Sequence, residues 1–437
     1  MKFNKVCVLG LGYIGLPTAS MFATNGIEVI GVDVNPVITE NLQKGEIHIR
    51  ENGLQELVLQ AVRSKKFTAS ITPDYADAFI IAVPTPITQE NTADMQMVIS
   101  ATEMIAPFLR SGNLVVLEST SPPKTTTDLV KPILERTGLI AGKDFLLAYS
   151  PERVLPGGNL LQEMKENARI IGGFDHASSQ AGKDLYATFV NGEITCTDAT
   201  TAEMVKLMEN TFRDVNIALA NEFALIAEKI GVDVWKAIEL ANKHPRVKIL
   251  KPGPGVGGHC IAVDPWFLVE AAPEHARVIR RAREVNDTMP KHVADLVDAN
   301  VIRNGTLPVV AVLGLAYKAN VDDARESPAI AVVEELDKRS MDVRVSDPWV
   351  DNSFVIRALN RVRMSVEECV DGADCLVLLT DHAVYQQLDP FVIGTLMRNK
   401  FVIDTRNCID TNKWVEAGFE VVQLGHSNPQ FYETKLA

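Results

Sequence analysis

The stretch Val6-Cys7-Val8-Leu9-Gly10-Leu11-Gly12-Tyr13-Ile14-Gly15 carries the reading of the fold. Four apolar residues, too few for a helix, end on glycines spaced G-x-G-x-x-G, and a helical pattern follows through Ala23. Residues 28–32 then read as a second strand closed by Asp33, which makes the segment one βαβ unit. In such a unit Gly10 permits the turn, Gly12 lets the backbone approach a pyrophosphate at the helix N-terminus, and Gly15 allows close helix packing. Asp33, 23 residues after Gly10, is placed to accept from a ribose 2′-hydroxyl. Its charge repels a 2′-phosphate, so NAD is expected rather than NADP.

Outward from that turn, residues 77–84 and 113–118 read as further buried strands, each preceded by a helix, and the alternation predicts a doubly wound parallel sheet. From Thr200 to Gly231 the pattern becomes one long helix, with Thr200 and Glu203 spaced as a capping box and Gly231 as its stop. A second helical stretch runs over residues 270–303, with Pro290 marking a kink or break. A helix of roughly 30 residues, about 45 Å long, exceeds what a small domain needs, so a homodimer through this central helix is expected. The last third repeats the first: residues 309–317 echo 6–13, 342–347 echo 28–33, and 373–379 echo 76–83. The fold class is therefore α/β, with two Rossmann-like doubly wound domains (1–199 and 305–437) joined by a central helical dimerisation layer (200–304).

Composition narrows the function. A chain of 437 residues holds about three structural units, and 46% hydrophobic with 23% charged residues is a globular balance. The 43 Lys and Arg against 56 Asp and Glu leave a net charge of −13, which would repel a polyphosphate duplex unless a local basic patch overrode it, so no nucleic-acid partner is expected, while a small anion can still bind at a local basic site. Residues 1–5 run straight into the first strand, so no signal peptide is expected, and no apolar run approaches the ~18 residues of a spanning helix. A cytoplasmic protein with no membrane partner is expected. The six cysteines include no CxxC pair and the eight histidines no HxxxH pair, so neither a disulfide framework nor a metal site is expected.

Three further features carry chemistry. Thr85 in VPTP and Thr120 and Thr126 in STSPPKTTT lie just past later strands, at the ends that face a cofactor crevice, though helix caps would use the same residues. The run Pro252-Gly253-Pro254-Gly255-Val256-Gly257-Gly258-His259-Cys260, followed by Asp264, exposes backbone N–H groups and gives a substrate close access to a thiol. Cys260 therefore reads as a nucleophile, with Asp264 as a base or as support for the thiol; Cys7, inside the first strand, reads as structural. Lys206, Asn210 and Arg213, spaced i, i+4, i+7, share one helix face, where Lys and Asn can stabilise an oxyanion or hold a water and Arg can meet an anion. Such spacing alone is also that of an ordinary solvated face.

Taken together and in order, GLGYIG, VPTP, STSP, PERVLPG, the Lys206-x3-Asn210 helix, HPRV, PGPGVGGHC, YK and DDARESP resemble the UDP-glucose/GDP-mannose dehydrogenase family over nearly the whole chain. The resemblance implies an N-terminal NAD domain, a central helical layer that dimerises and a C-terminal domain that binds the UDP moiety. Within the family, HPRV leading to PGPGVGGHCIAVDPW looks more like the enzymes acting on UDP-N-acetyl-D-mannosamine than those acting on glucose, whose loop is of GFGGSC type, or on N-acetylglucosamine or -galactosamine, with an FYPGPGLGGHC-like loop. It further implies oxidation of a C6 alcohol to a carboxylate with two NAD, through a thiohemiacetal and a thioester on Cys260.

By position, the family's roles fall as follows. Lys206 and Asn210 would stabilise the oxyanion or position water, Asp264 would assist Cys260, and Glu152 would help activate the hydrolytic water. Tyr13, Ile14, Asp33, Thr85, Thr120 and Thr126 would line the NAD site. Arg153, Val154, Lys206, Asn210, Arg213, His244, Arg246, Gly257, Tyr317, Lys318, Arg325 and Arg406 would hold the UDP-sugar, Arg246 across the dimer. Read without the family, Arg325 is a helix-start salt bridge and His244 a hydrogen-bonded loop histidine. One departure is Lys124, where this loop commonly has Gly. Other readings stay open: the same chemistry on UDP-N-acetylglucosamine, UDP-N-acetylgalactosamine or UDP-glucose, a non-catalytic protein that binds NAD or a nucleotide sugar, and a two-electron 3-hydroxyacid-type dehydrogenase that needs no Cys.

Overall fold

Val6, Cys7, Val8 and Leu9 are buried on both faces of their strand, the pattern that parallel sheets impose when helices cover both sides. A computed structural model describes residues 1–49, 51–154, 158–301 and 307–426. The expected domain boundary at 304/305 and the last three residues of PERVLPG lie outside them. The chain divides into two compact units, one of Met1–Glu209 with Trp266–His275, the other of Asn210–Pro265 with Ala276 onward.

The first unit is built on β1 (Lys5–Leu9), β2 (Glu28–Val32), β3 (Phe67–Ser70), β4 (Ala78–Ile81), β5 (Leu114–Leu117), β6 (Leu146–Tyr149), β7 (Arg169–Gly173) and β8 (Ile194–Asp198). They form one sheet in the order β3-β2-β1-β4-β5-β6-β7-β8, parallel except for the antiparallel pair β6/β7. The strand order reverses between β1 and β4, which places a crevice at their C-terminal ends. Apolar clusters cover both faces, one around Val8, Leu16, Phe22 and Ile80, the other around Cys7, Phe79, Val115 and Tyr149.

The second unit carries β9 (Val309–Leu313), β10 (Asp342–Ser346), β11 (Cys375–Leu378), β12 (Phe401–Asp404) and β13 (Glu420–Gln423), all parallel, in the order β10-β9-β11-β12-β13. The predicted echo is present: β9, β10 and β11 pair as β1, β2 and β4 do. The long helix spans Ala199–Ile230, and Gly231 stops it at φ +81° with its N–H on the Ala227 carbonyl.

Three readings of the sequence need correction. The helix is capped by Asp198, whose Oδ1 accepts from Thr201 N at 2.8 Å, and not by a Thr200–Glu203 box; the Glu203 carboxylate is taken by donors elsewhere, described below. The second helical stretch breaks at residues 272–276, between helices Asp264–Ala271 and Arg277–Asn300, and not at Pro290, which lies inside the latter. Pro290 is buried with Met289 and Val293, and packing of that face outweighs one missing hydrogen bond. The strand at 78–81 is preceded not by a helix but by β3, and β6, β7 and β8 also went unread.

Within the second unit, the long helix meets helix Arg277–Asn300 through charge. Asp214, fully buried, accepts from Arg283 Nη1 at 2.6 Å and from Asn286 Nδ2 at 2.8 Å, while Arg283 also pairs with Asp287. Asn221 Nδ2 donates to Asn286 Oδ1 at 2.9 Å, and Asn221 Oδ1 accepts from Gly253 N at 2.8 Å. Arg283→Met leaves Asp214 buried without its cation, so urea unfolding should show a loss of about 3–5 kcal/mol for this unit; a loss below about 1 kcal/mol would mean the charge is compensated in another way.

Candidate active site

In the first unit the glycine turn is fixed by contact. Gly10 sits at φ +89° with its N–H on the Val32 carbonyl at 2.8 Å, and a Cβ at Gly15 would stand 1.8 Å from the Gly10 carbonyl oxygen. At Gly12 a Cβ would meet nothing within 4 Å, which leaves the open cradle that a pyrophosphate requires at a helix N-terminus. Asp33, at the end of β2, accepts from Leu11 N at 3.1 Å and Asn35 N at 2.9 Å, so its remaining lone pairs can take ribose hydroxyls. The residues present fit NAD. Tyr13 packs on the core behind the turn, and Ile14 joins the apolar cluster of Val154, Leu160 and Met164, which brings the glycine turn and the PERV segment together.

The threonines are tied down. Thr85 Oγ1 donates to the Thr120 carbonyl at 2.6 Å, linking the loops after β4 and β5. Thr126 is buried and donates through Oγ1 at 2.6 Å and through N at 2.8 Å to Glu203 Oε1, while Lys124 N donates to Glu203 Oε2 at 2.6 Å. Lys124 holds φ +76°, the left-handed conformation that explains why glycine suits this position. Burial pushes the Glu203 carboxyl up to about 7 against these three donors.

Beyond β6, Glu152 is buried and accepts from Arg153 N at 2.7 Å. The Arg153 side chain pairs with Glu209 (Nη2 to Oε1 at 2.5 Å) and donates to the Ala168 carbonyl. Lys206 is buried on the long helix, one turn before Asn210. Sequence reading missed Glu118 and Arg169, and it gave Glu203 to a capping box where the structure gives it to Lys124 and Thr126. The available signal was an acidic residue directly after the apolar run of β5 and a basic one opening β7.

In the second unit the glycine-rich loop is held at both ends. At its start Gly253 bonds to Asn221, and a Cβ there would lie 2.4 Å from Arg406 Nη1. Gly257 lies against Glu326 and Pro328, and Gly258, at φ +87°, against the Tyr317 ring. At its far end Asp264, 2% exposed, accepts from Asn210 Nδ2 at 2.5 Å and gives its N–H to the Cys260 carbonyl at 2.8 Å. Cys260 sits on this turn and is the one exposed cysteine of the six, whereas burial pushes the Cys7 and Cys369 thiols up to about 12. A reactive thiolate is available only at an accessible position.

The expected substrate residues divide. Gly257, Tyr317, Arg325 and Arg406 gather around the loop, because His259, next to Cys260, lies 3.5 Å from Asp323, which Arg325 grips at 2.9 and 2.8 Å. Although burial alone would raise it, these bonds from Arg325 and His259 hold the Asp323 carboxyl well below the carboxylate range. Arg406 Nη2 donates to Asp381 at 3.2 Å, and its buried Nε finds no partner among the described residues. Lys318 and Arg213 are exposed, and His244 and Arg246 stand on an exposed turn where Arg246 N donates to His244 Nδ1 at 3.3 Å.

Comparison with known proteins identifies the family. Residues 4–190 match the NAD binding domain of the UDP-glucose/GDP-mannose dehydrogenase family, 200–288 its central domain and 311–411 its UDP binding domain. A protein of Methanococcus maripaludis named UDP-N-acetyl-D-mannosamine dehydrogenase is 47% identical over 97% of both chains. One of Ralstonia solanacearum named NDP-N-acetyl-D-galactosaminuronic acid dehydrogenase is 47% identical over 93% of this chain and 96% of its own. The solved structure of a UDP-D-ManNAc dehydrogenase from Pyrococcus horikoshii superposes with a TM-score of 0.88 at 43% identity, covering 96% of this chain and 99% of that one. Among the described residues no helix is long and apolar enough to cross a membrane. The chain belongs to the UDP-glucose/GDP-mannose dehydrogenase family, and it is an NAD-dependent enzyme that oxidises a UDP-sugar.

Proposed function

We propose that the substrate is UDP-N-acetyl-D-mannosamine, oxidised at C6 to the mannosaminuronate in the cytoplasm for a surface polysaccharide. The observation that carries the chemistry is Cys260, exposed on a turn whose far end is fixed by the Asn210–Asp264 bond. NAD supplies the hydride acceptor, twice per substrate. Once the alcohol has lost its first hydride, Cys260 Sγ adds to the aldehyde carbon, giving a thiohemiacetal. Loss of the second hydride from that carbon leaves a thioester. Water then adds, one proton passing to Glu152, and the C–S bond breaks with its electron pair returning to Cys260 Sγ. Lys206, a buried amine, and Asn210, one turn on, suit the negative oxygen that develops in these steps. Asn210 also orients Asp264, which supports Cys260 through the turn they share.

The sugar assignment rests on the HPRV and PGPGVGGHC segments and on the mannosamine relatives. The Ralstonia protein, equally similar and named for a galactosaminuronic acid, keeps a galactosamine substrate as the second reading. The same proposal includes a homodimer. Along the long helix Met204, Met208, Phe212, Leu219, Phe223, Ile226 and Ile230 form an exposed apolar stripe at steps of three, four or seven residues, and a second copy of the stripe, related by a two-fold axis, would cover it.

At limiting substrate, NADH formed per UDP-N-acetyl-D-mannosamine should reach two, ahead of the glucosamine, galactosamine and glucose nucleotides; one NADH would remove the thioester, and preference for another nucleotide would reassign the sugar. Cys260→Ala should lower kcat on the order of 10^3-fold or more while NAD still binds. For the assembly, light scattering of Leu219→Glu/Phe223→Glu should give half the wild-type mass, and an unchanged mass would place the interface elsewhere.

A further inference from the structure

Glu118, Glu152 and Arg169 lie together in the first unit, closed off from solvent, and of these three the chemistry above uses only Glu152. Glu118, just after β5, is 3% exposed, Arg169, the first residue of β7, 4%, and Glu152 8%. Arg169 donates through Nη2 to Glu152 Oε2 at 2.5 Å, and through Nη1 to Glu118 Oε1 at 3.3 Å and Ser150 Oγ at 3.1 Å. Tyr186 Oη donates to the same Glu118 oxygen at 2.9 Å and Thr18 Oγ1 to the other at 3.3 Å, and the guanidinium lies over the Tyr186 ring at 4.4 Å from its centroid. One cation is thus shared by two acids. A buried bridge that only held strands together would need one acid for its one base, since a second carboxylate carries an uncompensated desolvation cost.

We propose that Arg169 and Glu118 are positioning residues for Glu152: Arg169 fixes its carboxylate, and Glu118, by competing for the same guanidinium, sets how strongly Glu152 takes the proton of the hydrolytic water. This rests on the reading of Glu152 as the group that activates that water. With Glu118 ionised, the Arg169 cation is divided between two anions; with Glu118 protonated, the whole cation falls to Glu152 and competes with the water's proton for that carboxylate. The charged or titratable groups facing Glu118 are Arg169 from β7, Glu152 from the loop after β6 and Tyr186 from helix His176–Tyr186; Thr18 from helix Gly15–Thr24 carries no charge. Burial pushes Glu118 up to about 7, with Arg169 opposing and Glu152 reinforcing the rise. Below that pH Glu118 holds a proton and thioester hydrolysis is slow, and above it hydrolysis quickens.

The test follows the acyl group on Cys260 by rapid quench and intact mass, using the full chain, NAD and the UDP-sugar that gives most NADH, from pH 6 to 8.5. In the wild type the acylated fraction should fall as pH rises through about 7. Glu118→Gln should keep it high at every pH, with hydrolysis about tenfold slower and its pH dependence gone. Tyr186→Phe, which keeps all three charges and removes one donor to Glu118, should move the midpoint to higher pH, and it decides the matter if Glu118→Gln does not fold. Glu152→Gln should accumulate the acyl-enzyme most. If Glu152→Gln accumulates it while the other variants follow the wild-type profile, the coupling is wrong and the role of Glu152 stands. If Glu152→Gln accumulates none, that role and the coupling fall together.

Discussion

A carboxylate with no access to solvent, Asp214 on the long helix, is the constraint from which the second unit is arranged. A buried charge left unpaired costs several kcal/mol, so the helix can sit only where Arg283 and Asn286 reach it. The same helix carries further polar groups on its packed side, and each closes a different piece of chain. Asn210 holds Asp264, Asn221 holds Gly253 and Asn286, and Glu228 accepts from Gly425 N beyond β13 at 2.7 Å. The loop bearing Cys260 is therefore pinned to one helix at Gly253 and again at Asp264. Its accessible thiol rides on a segment whose ends cannot slide without stranding buried polar groups.

What the sequence made legible follows from how strictly each feature is constrained. The glycine turn was readable because any side chain at Gly15 would strike the Gly10 carbonyl, so the residue type itself records the geometry. The central strands were readable because burial on both faces demands an unbroken apolar run. Phe67–Ser70 was not, since an edge strand of four residues with Thr and Ser on it resembles a loop. Thr200 and Glu203 have the spacing of a capping box, yet spacing does not show that Lys124 and Thr126, far off in the chain, offer Glu203 three donors. The Glu118–Arg169–Glu152 array was invisible for the same reason. Its members are 17 and 51 positions apart, and only the folded sheet makes them neighbours.

The two sheets share a plan, and comparison of their turns shows why one serves a dinucleotide and the other does not. Gly10 and Gly314 both follow the first strand at positive φ, each with its N–H on the last carbonyl of the neighbouring strand at 2.8 Å. Asp33 and Asp347 both follow that neighbour and accept from the turn. Asp33 receives two donors and keeps acceptor capacity for a ribose. Asp347 is buried and receives five: Leu315 N and Ala316 N on one oxygen together with His382 Nε2 at 3.0 Å, and Trp349 N and Val350 N on the other. Because Asn320 N donates to His382 Nδ1 at 2.9 Å, the ring proton sits on Nε2 and points at the carboxylate. A single histidine from the loop after β11 thus fills, from inside the chain, the acceptor that a cofactor hydroxyl would have used. No helix opens directly behind this second turn, the next one beginning only at Pro328, so the cradle that a pyrophosphate needs is missing as well. The repeated βαβ plan carries the dinucleotide only where both the helix N-terminus and a free carboxylate survive.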